Sequence, residues 1–176
     1  MNFYSFLILI VMMQGYETQP YKVVKNYDMF ELRYYPSVAM VQTESDTESG
    51  QNFRKLFQYI SGSNESNLKI AMTTPVHMEK KGNKEKMAFV LPSSIEIPPE
   101  PQNENVQIIQ SKEAYFAAIG YGGYSTKSKS EYYTKILKEN LNKNKLKIQG
   151  DPILLGYNSP YKFFNRLNEI IIEVAY

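Results

Sequence analysis

Lys69-Ile70-Ala71-Met72-Thr73-Thr74-Pro75-Val76-His77-Met78 is the stretch from which the chain is best read: an apolar run meets a proline, and the single histidine follows two residues later. The run from Leu68 to Thr74 has the length and composition of a strand, and Pro75 ends it because proline has no N–H to give to a ladder. In Lys86-Met87-Ala88-Phe89-Val90-Leu91, Met87, Phe89 and Leu91 alternate onto one face. That alternation predicts a hairpin partner across the polar segment Glu79 to Glu85, with Gly82-Asn83 at the turn. Adjacent residues of a strand point to opposite faces, so His77 and Met78 enter one pocket only if the strand has ended.

Working outward toward the N-terminus, Tyr21 to Lys25, Phe30 to Tyr35 and Val38 to Thr43 read as three strands of a meander with one wet face. Phe30, Leu32 and Tyr34 alternate with Glu31 and Arg33, and Tyr35-Pro36-Ser37 supplies the turn into the third strand. Ser45 and Glu48 stand at capping-box spacing ahead of a helix whose apolar stripe is Phe53, Leu56, Phe57 and Ile60. Arg54, Lys55 and Gln58 fall on its outer side, and Gly62 follows its end, as glycine commonly does. Asn64-Glu65-Ser66 has the form of a glycosylation sequon, to which the sequence alone gives no weight.

Toward the C-terminus, Pro92, Pro98, Pro99 and Pro101 mark an extended connection that divides the chain. The second half then replays the first. Val106 to Gln110 and Ala114 to Gly120 read as strands, and Ser128-x-x-Glu131 reads as a capping box. The helix that follows carries Tyr133, Ile136, Leu137 and Leu141 on one stripe. Leu146-Lys147-Ile148 precedes Pro152 much as Leu68-Lys69-Ile70 precedes Pro75, and Ile170, Ile172 and Val174 share a face of a last strand. Two such half-units predict an α+β fold: a curved antiparallel sheet or open barrel with two helices packed against it and a ligand groove between sheet and helix.

The 176 residues, 43% apolar, suffice for one sizeable core, so a single domain is expected. A net charge of +2 lacks the basic surplus that a phosphate backbone requires, which argues against nucleic acid. With no cysteine there is no thiolate site and no cysteine nucleophile. Phe3 to Met13 is apolar but shorter than the roughly 20 residues of a bilayer span. Residues 1–15 therefore read as a signal peptide or apolar N-terminal segment, giving an exported protein, or a cytoplasmic one if the segment is not a signal. No nucleophile elbow, P-loop or H-E-x-x-H motif is present, so the chain does not read as an enzyme. His77 is a candidate axial ligand to haem iron, with Met78 beside it; the competing reading is a partly exposed side chain opening a polar hairpin. Met40, Met72 and Met87 read as soft core fillers.

Several ordered motifs then resemble one family. They are Tyr16-Glu17-Thr18 with Tyr21-Lys22-Val23-Val24, Glu31-Leu32-Arg33-Tyr34-Tyr35-Pro36, and Phe53-Arg54-Lys55-Leu56-Phe57-Gln58-Tyr59-Ile60-Ser61-Gly62. Further on come Lys69 to Val76, Phe89-Val90-Leu91-Pro92, Gly122-Gly123-Tyr124, and Gly156-Tyr157-Asn158 through Arg166-Leu167-Asn168-Glu169. With these the chain resembles the SOUL haem-binding family from about Tyr16 to Val174, so that 16–176 forms one domain. The resemblance implies a distorted antiparallel β-barrel of two pseudo-symmetric strand-helix-strand repeats with two flanking helices. It also implies non-covalent binding of b-type haem or another tetrapyrrole in a shallow apolar pocket, in a carrier, buffer or sensor role. By that resemblance Phe53, Leu56 and Phe57 look like the pocket wall, Arg54 lies near it, and Lys162 looks like a basic position beside the propionates.

Gly50 and Gln58 stand where haem-binding relatives can carry basic residues, which leaves open a different apolar small molecule, or a protein partner, as the ligand of the same fold. Arg166, Asn168 and Glu169 fit either a pocket lining or a buried polar network that fixes the last strand. The cost of unpaired buried charge favours the network.

Overall fold

The computed structural model describes residues 15–46, 51–159 and 161–176. The apolar N-terminal run on which the export reading rests, together with Glu48 and Gly50, lies outside the described residues. The first half contains β1 (Glu17–Thr18), β2 (Lys22–Asn26), β3 (Glu31–Tyr35), β4 (Ala39–Asp46) and α1 (Asn52–Ile60), then β5 (Thr73–Thr74), β6 (Val76–Lys81) and β7 (Lys84–Val90). The second contains β8 (Val106–Gln110), β9 (Ala114–Gly122), α2 (Lys127–Lys143), β10 (Lys147–Ile148), β11 (Ile153–Gly156) and β12 (Leu167–Ala175).

The chain is α+β, with one large antiparallel sheet in the order β2-β3-β9-β12-β11-β6-β7-β4-β8; β10 also pairs with β12. β1 and β5 form a separate parallel pair. No ladder joins β2 to β8 among the described residues, yet the sheet curls. Tyr35 of β3 and Phe116 of β9 line the same cavity, of about 350 Å³, as Met40 of β4 and Ile109 of β8.

Both helices cover the outer face of this curl. Directly opposed residues of antiparallel strands share a face. The register runs Val41, Phe89, Val76, Gly156, Asn168, Tyr121 across six strands. Leu56, Tyr59 and Ile60 of α1 pack with Val41, Phe89 and Val106 at one end of that row. Leu137 and Leu141 of α2 pack with Ile119, Tyr121 and Ile170 at the other. The α2 stripe therefore matches its 3.6-residue period, with Tyr133 and Ile136 partly buried beside it.

Several local expectations are corrected. The hairpin closes at Gly82-Asn83, but its first strand is Val76–Lys81 rather than Leu68–Thr74. Only Thr73 and Thr74 of the earlier run are in a strand; Ile70 is buried under α1, its N–H donating to the Ile60 carbonyl at 2.8 Å. The three N-terminal strands are not a meander, because β3 pairs with β9 and β4 with β7 and β8. Arg33 is accordingly buried rather than wet. Ser45 lies inside β4, and α1 starts after Gln51 without a side-chain cap. α2 begins one turn-fraction earlier than its capping-box match: Thr126 is extended and its hydroxyl accepts the Lys129 N–H at 3.3 Å, which places Ser128 inside the helix.

Candidate functional site

The buried face of α1 is Asn52, Leu56, Tyr59 and Ile60, which rotates the expected stripe and leaves Phe53 and Phe57 outside it. Two polar side chains turn inward and find backbone acceptors: the Asn52 amide N–H donates to the Glu85 carbonyl at 3.0 Å and the Tyr59 hydroxyl to that of Pro99 at 2.8 Å, although the Asn52 side-chain oxygen is buried without a partner. Phe53 and Phe57 are 43% and 50% exposed and stack on each other, with centroids 5.9 Å apart and planes 14° apart. Phe53 also meets Phe89 edge-on at 5.3 Å. Arg54 is exposed and donates to the Gln51 side chain, whereas Leu56 is wholly buried in the core under α1.

α1 runs alongside β7 from Glu85 toward Leu91, since Asn52 holds one end and Ile60 packs with Leu91 at the other. Gly156 opposes Val76, which opposes Phe89. The loop that follows Gly156 thus leaves the sheet at the end where α1 finishes. That loop carries Lys162, half-buried, between the exposed rings of Tyr161, Phe163 and Phe164. Arg166 pins it, donating to the carbonyls of Ser159 and Lys162 at 2.7 and 2.8 Å while its guanidinium lies 4.4 Å over the Tyr124 ring.

Glu169 is the acceptor of a buried network. Arg33 donates to both of its oxygens, at 2.9 and 2.8 Å, and the Tyr157 hydroxyl donates to one at 2.6 Å. Arg33 also donates to Glu31 and to the Tyr35 hydroxyl. Burial, with the nearby carboxylate, pushes the Tyr157 phenol far above its ordinary range, and burial pushes Tyr35 up as well. Asn168 is buried too, its amide donating to Gly123. Of the three residues read together in the terminal motif, Asn168 and Glu169 fix strands and Arg166 fixes a loop. The sequence pattern does not single out Arg33, because alternation in its own strand places it with Glu31 and its partner is far off in sequence.

His77 and Met78 point to opposite faces. His77 lines the inner cavity, its Nε2 2.7 Å from the Gln19 side-chain oxygen. Burial, and then the Lys86 charge, push its imidazole down to about 4, so it is neutral at pH 7. Met78 instead helps floor a groove of about 760 Å³ between the two helices, together with Met87, Leu154 and Ile170. The Thr134 and Lys138 positions of α2 wall one side, and Asn52 of α1 stands on the other. On its rim Lys80 and Lys86 meet Glu85 and Glu79 at 3.5 and 3.3 Å. Among the described residues no group of three or more histidine, aspartate or glutamate side chains is placed to hold a metal, and no helix is long and apolar enough to cross a membrane.

The sequence profile of the family described as SOUL heme-binding protein matches residues 16–173. The chain is similar to heme-binding protein 2 of Homo sapiens, at 29% identity over 156 residues that cover 80% of this chain and 76% of that one. It is similar to heme-binding protein 1 of Mus musculus at 23% identity over 177 residues, covering 90% and 93%. Among solved structures, the EcmrR C-terminal domain superposes with a TM-score of 0.61 at 12% identity, covering 88% of this chain and 98% of that one. That last likeness is one of fold.

Proposed function

Because this chain belongs to the SOUL heme-binding protein family, we propose that it binds haem or a related tetrapyrrole without covalent attachment and without catalysing a reaction. The observation that carries the reading is the stacked Phe53–Phe57 pair, half-exposed on α1, with Phe53 edge-on against Phe89. Two half-exposed rings with planes 14° from parallel leave an apolar ring face open for a flat macrocycle to stack on. Lys162 supplies a cation for a propionate at the rim, and Arg54, next to Phe53 in α1, a second. His77 takes no part in this arrangement, since it lies on the inner face, so iron ligation by the protein is not required.

The role that suits such an open surface is carriage or buffering, because an exposed pair of rings gives ready release. The sheet order about the β6–β11 pair, β7-β4-β8 on one side and β12-β9-β3 on the other with β2 added at its edge, supports the two-repeat, barrel-like reading of the fold. Residues 1–15 act in this reading as an export signal, and sequencing the N-terminus of the mature protein tests it.

Titration with haemin, followed at the Soret band, tests the function: saturable binding is expected at micromolar protein. Lys162→Glu should weaken it about tenfold, the scale of one rim ion pair lost and one repulsion gained. Phe57→Ser should weaken it as well, and His77→Ala should leave the spectrum in place. A featureless, non-saturating titration would remove haem as the ligand. The methionine-floored groove between the helices favours a second reading, a different apolar small molecule, and mass spectrometry of ligands retained through native purification separates the two.

A further inference from the structure

One end of the molecule combines exposed aromatic rings with unopposed positive charge. The segments 120–130 and 157–166 contain no aspartate or glutamate, and between them they carry Lys127, Lys129, Lys162 and Arg166. The fold brings the two together. Leu167 pairs with Gly122, Asn168 donates to Gly123, and Arg166 lies over Tyr124. Lys127 reaches Glu131 at 4.0 Å, but Lys129 donates to the Gly122 carbonyl at 2.6 Å and, among the described residues, Arg166 donates to the carbonyls of Ser159 and Lys162. Those acceptors are neutral, so the charges of Lys129 and Arg166 are not cancelled.

Around these cations stand Tyr124, 49% exposed, and Tyr161, Phe163 and Phe164, which are 83, 72 and 82% exposed. Rings so exposed protrude rather than line a cleft, and the loop that bears them is held in shape by the Arg166 bonds. A core function does not explain them, and large exposed apolar side chains grouped at one place mark an interaction surface.

We propose that this end docks the protein on an anionic lipid bilayer, with Phe163 and Phe164 entering the interface, Lys129 and Lys162 facing the headgroups, and Arg166 holding the loop behind them. Aromatic rings and basic side chains side by side are what the interfacial zone of a membrane accommodates, the rings at the acyl boundary and the cations among the phosphates. The anionic leaflet adds an attraction for each basic side chain near the surface that fades within a Debye length. A convex tip of phenylalanines fits a fluid surface, which needs no complementary pocket. Nucleic acid is disfavoured by the chain's net charge of only +2, which provides no phosphate track beyond this tip. The inference does not depend on the tetrapyrrole reading, although both make use of Lys162.

The chain has no tryptophan, so Phe164→Trp places a single reporter at the tip. In the full chain, adding phosphatidylserine-containing vesicles should shift its emission to the blue, and lipids brominated along the acyl chains should quench it. Pure phosphatidylcholine should give a much smaller shift, and added salt should reverse the difference. In a co-sedimentation assay Phe163→Ser/Phe164→Ser should lower vesicle binding about tenfold, with its thermal unfolding unchanged. The proposal is overturned if the tryptophan emission does not respond to vesicles, or if it responds equally to neutral and anionic ones. It is also overturned if the emission shifts with protein concentration alone, which assigns the surface to a second copy of the chain. Loss of haemin binding in the double variant, with vesicle binding intact, would assign the rings to the tetrapyrrole site instead.

Discussion

Glu169 accepts two bonds from Arg33 and one from Tyr157 inside the curl of the sheet, and such a charge is tolerable there only while its partners stay. Removing one side alone leaves an uncompensated ion, so Arg33→Met should cost about 3–5 kcal/mol in urea unfolding, whereas Arg33→Met/Glu169→Leu should recover most of that loss. Equal destabilisation in the single and double variants would mean that the pair's geometry, not its charge balance, holds the strands. His77 makes a second residue-scale prediction. Its imidazole ordinarily titrates at 6.5 and is held at about 4 in the fold, so between those values the unfolded chain binds the extra proton. The neutral histidine's contribution is therefore fully present above pH 6.5 and is lost as pH falls toward 4, by at most about 3 kcal/mol. His77→Gln should flatten that limb of the stability–pH curve, and an unchanged slope would place the acid sensitivity elsewhere.

At the level of elements, α1 and the turn behind it turn on Asn64, whose side chain is fully buried. Its amide donates to the carbonyls of Tyr59 and Leu68, and its oxygen accepts the Leu68 N–H. The sequon of which it is part is thus closed to a glycan in the folded protein. Asn64→Ala strands three backbone groups and should cost about 2–4 kcal/mol, while Phe57→Ser on the exposed face of the same helix should stay within about 0.5 kcal/mol. Chemical denaturation of the two variants checks the contrast. These residues also explain what a reader of the sequence can and cannot see. Helical period finds α2 correctly because Leu137 and Leu141 are buried by hydrophobicity alone. It misplaces the face of α1 because Asn52 and Tyr59 are buried by hydrogen bonds that only the tertiary fold supplies. Pro75 was legible as punctuation, yet the strand of the hairpin lies after it, since Ile70 is drawn under α1 rather than into a ladder. The ring pair of the candidate site is legible in the sequence; the neighbourhood of Lys162 is not, because the loop from Gly156 is placed by pairings with β6 and β12.

For the whole molecule, sequence order and spatial order are interleaved. The proline-rich connection separates the chain into stretches that each hold one helix, but three ladders cross it: β3 with β9, β4 with β8, and β6 with β11. A fragment ending at this loop would keep β2 and β3 with no strand on the far side of β3, and Arg33 would face no Glu169. The complementary fragment would keep β9, β12 and β11 together but leave β8 without a neighbour. Each would expose long unpaired edges and half of a core, which is a state unable to offset its ordering entropy. Ile97 stands exposed in the connection and offers a place to cut. Fragments 1–97 and 98–176 should therefore each lack a cooperative thermal transition, and mixing them one to one should restore both near-ultraviolet circular dichroism and a single melt. A cooperative melt in either fragment alone would show that one helix-bearing half is a folding unit by itself, and the crossing ladders would then be a docking surface between two units rather than the bonds that make one.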